Sequence, residues 1–92
     1  MTSHLIELRQ RLYIAEAEMK KAIARIDQLT SLHDLRAHGL KPADPESTKA
    51  GLYHLAVRLH NDTEPLYELV GDYTQAINGI RAEILMLERG GG

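Results

Sequence analysis

Apolar residues recur at steps of three and four through the first third of the chain: Leu5, Leu8, Leu12, Ala15, Met19, Ala22, Ile26 and Leu29. Near the C-terminus the spacing returns as Leu66, Val70, Tyr73, Ile77, Ile80, Ile84 and Leu87. Such steps place side chains on one stripe of a helix, so each segment predicts a long helix built to meet another helix. The expected class is all-α, with helices at about 3–38, 45–61 and 63–89 in a single domain over 1–89, and a flexible tail at 90–92.

Punctuation sets these bounds. Ser3 can cap the first helix and Gly39 can stop it. Lys41-Pro42 excludes helix, and Asp44-Pro45-Glu46 has the order of cap, first helical residue and first-turn acid. A second cap at Asp62 would put Pro65 in a first turn, where its missing amide costs nothing. The strict first seam ends at Leu29, since the next positions are His33 and Arg36 while apolar residues shift to Leu32 and Leu35. The contact face is therefore expected to rotate there and meet a different partner.

Two architectures follow. If the chain reverses near Pro65, it forms a three-helix bundle; if it only kinks or breaks there, it forms a long antiparallel helical hairpin, which matches the lengths better. In the hairpin, the seams pair as Leu5 with Leu87, Leu8 with Ile84, Leu12 with Ile80, Ala15 with Ile77, Met19 with Tyr73, Ala22 with Val70 and Ile26 with Leu66. Small residues then oppose large ones. Helix one also carries Ile6, Tyr13 and Ile14 away from its seam, and these are expected to support self-association into a homodimer, a larger helical bundle of coiled-coil type. In the three-helix bundle, helix two would cover them instead.

Composition narrows the chemistry. Lys and Arg number 11 against 13 Asp and Glu, with signs interleaved, so no general field recruits nucleic acid. There is no cysteine, hence no disulfide framework or thiolate. Charges interrupt each apolar stretch, so neither a signal peptide nor a membrane span is expected, and a cytoplasmic location follows as the default. Phe and Trp are absent, which leaves an aliphatic core interlocked along helices.

No catalytic, cofactor or metal residues are expected. Among the five histidines His38, with Asp34, takes part in an i, i+4 ligand spacing, and one such pair is not a site. Gly51, Gly71 and Gly79 stand alone within helical patterns and form no phosphate loop. Each marks either a close helix approach or a tolerated surface position. Gly71, Gln75, Asn78 and Ala82 share a small, polar stripe that could line a crossing or a ligand. Glu7 with Arg11 and Glu16 with Lys20 fit i, i+4 ion pairs on a solvated face.

Leu8-Arg9, Leu12 and Glu16 resemble part of the first-helix pattern of the all-helical chorismate mutases, with Tyr13 in place of an Asp. That resemblance implies Arg9 as a substrate-carboxylate ligand. The family's second arginine falls on Ile26, its lysine falls on Ala37, and no D-x-x-R-E segment opens the next helix. Most of the cationic cage is therefore missing.

The function expected from these features is a non-enzymatic helical interaction module that binds itself and another protein. An alternative is a stoichiometric inhibitor of a larger complex, of the phage anti-defence kind, docking through an acidic patch of Glu64, Tyr67, Glu68 and Asp72, with Tyr73 nearby. A small all-helical enzyme of mutase type is the third reading.

Overall fold

The computed structural model describes residues 2–40 and 45–90, with the side chains of residues 2 and 45–47 left aside. It contains two helices, α1 (Thr2–His38) and α2 (Pro45–Gly90), packed as an antiparallel hairpin. The body measures 70 × 15 × 15 Å, with a radius of gyration of 20.6 Å. A compact chain of this length would have a radius near 12 Å. The hairpin is thus a rod only two helices thick.

α2 corrects the expected division at Asp62. Helix runs unbroken through Asn61, Asp62 and Pro65, so there is neither a cap at Asp62 nor a third helix. Its 46 residues correspond to about 69 Å at 1.5 Å per residue, nearly the full 70 Å of the rod. A reversal at Pro65 would shorten that length by about half. Asp62 instead sits 3.9 Å from Arg58 one turn back. The proline removes the donor that would bond the Asn61 carbonyl, and both residues face solvent, where water can take its place.

The ends of α1 also differ in detail. Helix already includes Thr2, so Ser3 lies within the first turn rather than capping it. Gly39 does not adopt a left-handed conformation. Its amide donates to the carbonyls of Leu35 and Arg36, and Leu40 donates to Ala37 at 3.2 Å, so short-range bonds tighten the last turn. The expected turn signals at Lys41, Pro42 and Asp44, the side chain of Glu46, and the end of the tail lie outside the described residues. α2 begins at Pro45, as its fixed φ favours.

Cross-helix contacts fit the register read from the seams, in which residue i lies level with 92 minus i. One edge carries Arg9–Glu88 at 3.0 Å and Arg81–Glu16 at 2.8 Å, and the opposite edge brings His4 within 3.7 Å of Glu83. These edges are offset five residues to either side of that register, as flanking positions of an antiparallel pair must be. Beside the seam the Thr74 hydroxyl donates to the Val70 carbonyl at 2.7 Å and lies 3.6 Å from the Met19 sulfur. Among the described residues, the buried apolar side chains are Leu8, Ala22, Ile26 and Ile77. The remaining seam residues are half-covered.

The contact face does not move to Leu32 and Leu35. Both are exposed, and the covered positions continue as Leu29, His33, Ala37 and Leu40. Two consecutive steps of four appear there. At the facing level α2 takes three such steps, with Gly51, Leu55, Leu59 and Thr63 covered before the three-four rhythm resumes at Leu66. An extra step of four locally unwinds a coiled coil, and because both helices take it at one level they stay in contact. α1 therefore keeps a single partner within the chain. Thr63 fits this seam because its hydroxyl donates to the Leu59 carbonyl at 2.7 Å, leaving its methyl for packing.

Candidate interaction surfaces

A two-helix rod leaves much apolar surface uncovered. The accessible area is 7109 Å², whereas a compact monomer of 10.3 kDa exposes about 5,400 Å². On α1, Ile6 is 52% exposed, Tyr13 76% and Ile14 60%. Helical spacing separates them into two groups. Ile6 and Tyr13, seven apart, share one row, while Ile14 lies about 100° around the helix from Tyr13. Ile6 and Tyr13 are respectively three residues before and four after Arg9, so their row borders the edge bridged by Arg9–Glu88.

Leu85 and Met86 are exposed at the same end of the rod, and Leu32, Leu35, Leu52, Tyr53 and Val57 are exposed near the connection. Tyr53 meets the His54 ring edge-on at 6.0 Å. The sequence reading did not single out Tyr53, Val57 or Met86. The signal for Met86 was present: Leu85-Met86-Leu87 puts three apolar residues in succession, and a helix can turn only one of them fully to a single neighbour.

The acidic positions form a real row. Glu64, Glu68 and Asp72 follow one another at steps of four, with Tyr67 beside them at 60% exposure, and all face solvent. Glu64 lies 3.4 Å from His60. Glu68 and Asp72 form no ion pair among the described residues. Tyr73 does not belong to this patch, because it is half-buried on the seam toward α1.

Of the two expected ion pairs, Glu7–Arg11 forms at 2.9 Å. Glu16 turns across to Arg81, which leaves Lys20 without an ion pair among the described residues. The glycines divide similarly. A Cβ on Gly51 would meet the Leu40 methyls at 3.3 Å, so this glycine permits close approach of the two arms. At Gly71 and Gly79 a Cβ would meet nothing within 4 Å.

Chemistry-bearing side chains do not converge. Among the described residues no group of three or more His, Cys, Asp or Glu could hold a metal. Asp34 lies beside His33 at 3.3 Å rather than forming a pair with His38. Arg9, the residue matched to a substrate-carboxylate arginine, is bonded to Glu88, and Ile26 is buried in the seam. The depression between the arms, bounded by His33, Arg36, Arg58 and Asp62 over leucines, has an empty volume of about 250 Å³ including open solvent. No described helix is long and apolar enough to cross a membrane. The chain matches no protein-family model, and no curated protein or solved structure is significantly similar to it.

Proposed function

We propose that this chain is a non-enzymatic helical interaction module that pairs with a copy of itself and presents its remaining faces to another protein. The observation that carries this reading is the 7109 Å² of exposed surface on a rod with few buried side chains. Burial of apolar area is the main favourable term in folding, and a hairpin with this core has little of it. Ile6 and Tyr13 serve the self-contact. Ile14, turned to a different side, goes with the surface left for the second protein.

Light scattering tests the self-contact. The expected mass is twice 10.3 kDa for the native chain, with a shift toward 10.3 kDa for the Ile6→Lys, Tyr13→Lys double variant. A native mass of one chain would remove the self-association.

The acidic row supports a second reading, a stoichiometric inhibitor that docks on a basic surface through Glu64, Tyr67, Glu68 and Asp72. Reversal at Glu64 and Asp72 is expected to abolish binding to such a partner and leave the dimer mass unchanged. Retained binding would exclude this row as the docking surface.

A further inference from the structure

The self-association proposed above leaves open which surface of the copy receives α1, and the inference here rests on that reading. We infer that two hairpins join about a twofold axis parallel to their length, each α1 lying antiparallel against the partner's α2 in the register used within a chain. Tyr13 then seats over Asn78, and Lys20 over Gly71 one row position further along α2.

Ile6, Tyr13 and Lys20 form one row at steps of seven on α1, and Gly71, Asn78 and Leu85 form one on α2. Ile6 and Tyr13 flank Arg9, while Asn78 and Leu85 flank Arg81, so both rows border the same bridged edge of the rod. Facing rows, within one residue of the internal register, match Ile6 with Leu85, Tyr13 with Asn78 and Lys20 with Gly71. The first rung joins two exposed apolar side chains, and the second sets the most exposed tyrosine on a small residue. At the third, the Lys20 stem lies over bare backbone and its ammonium reaches toward Glu68, one turn from Gly71. Neither Lys20 nor Glu68 has an ion-pair partner among the described residues. The following rung, Asp27 with Glu64, opposes two carboxylates and ends the packed stretch.

Gly71 points the same way. Glycine weakens a helix interior, and within the hairpin a Cβ here would touch nothing, so the rod itself supplies no steric reason for it. A helix crossing closely at this point supplies one.

The area is sufficient. Two separate hairpins expose twice 7109 Å², while a compact body of their combined mass exposes about 8,900 Å², a difference of about 5,300 Å². Packing along half the rod would bury about half of that, within the range of roughly 2,000–5,000 Å² typical of obligate dimers. A twofold axis makes each contact twice and closes the assembly, giving a four-helix bundle with antiparallel neighbours.

The chain has no cysteine, so engineered pairs report cleanly. Tyr13→Cys with Asn78→Cys, and separately Ile6→Cys with Leu85→Cys, should oxidise to a covalent two-chain species under denaturing electrophoresis. Gly71→Leu should raise the dimer dissociation constant at least tenfold, and Gly79→Leu, on the other side of α2, should leave it unchanged. A native dimer that crosslinks at neither pair, or that tolerates Gly71→Leu, overturns this arrangement alone. A crosslinked ladder beyond two chains overturns the closed twofold. A native monomer overturns both this arrangement and the self-association beneath it.

Discussion

Leu8 is the most enclosed large side chain described, at 1% exposure, although it lies close to the start of α1. Its level on α2 is Ile84, and the bridges at Arg9 and Glu88 roof this end of the seam. Leu8→Ala should cost about 2–5 kcal/mol, measured by chemical denaturation, because little around it can collapse into the void. By contrast, Arg81→Ala should cost less than about 1 kcal/mol, since its bridge to Glu16 is largely exposed and screened. The glycines give a sharper comparison. Gly79→Ala meets open space and should gain about 0.5–1 kcal/mol of stability from helix propensity. Gly51→Ala should gain less, because the Leu40 methyls must shift to admit the new methyl.

At the level of elements, Pro65 separates two views of the chain. Inside an exposed stretch of helix it costs roughly 3 kcal/mol relative to alanine, whereas in a first turn it costs almost nothing. Pro65→Ala should therefore raise stability by about 1–3 kcal/mol in thermal or denaturant unfolding; no change would match a helix that starts at Asp62. The sequence pointed to a boundary because Asn61-Asp62-Thr63-Glu64-Pro65 has the local chemistry of one. Local preference lost to the seam: a break there would have removed Leu59, Thr63 and Leu66 from a continuous contact with α1. The hairpin was legible as one of two architectures, and once the seams are set antiparallel its register, Leu8 with Ile84 and Ile26 with Leu66, follows from their spacing. The matched extra steps at His33 and Ala37 against Leu55 and Leu59 were not legible. The apolar residues there are Leu32 and Leu35, while the covered positions on the α2 side are an imidazole and an alanine. The separation of Ile14 from Ile6 and Tyr13 follows from helical spacing, but that the Ile6–Tyr13 row borders the Arg9–Glu88 edge is visible only in the structure.

For the whole molecule, surface and shape carry the argument. A rod 70 Å long and two helices wide encloses only a thin core, and helices in proteins gain their stability mainly from packing. The exposed rows of both arms, Lys20 and Glu68 without an ion pair among the described residues, and the open side of Gly71 support the proposal that another chain completes the structure. Folding and association should then be linked, so that stability depends on protein concentration. Thermal unfolding followed by circular dichroism over a hundredfold dilution tests this most directly. The midpoint should fall steadily as the chain is diluted; a midpoint independent of concentration would show a self-sufficient hairpin and contradict the proposed association.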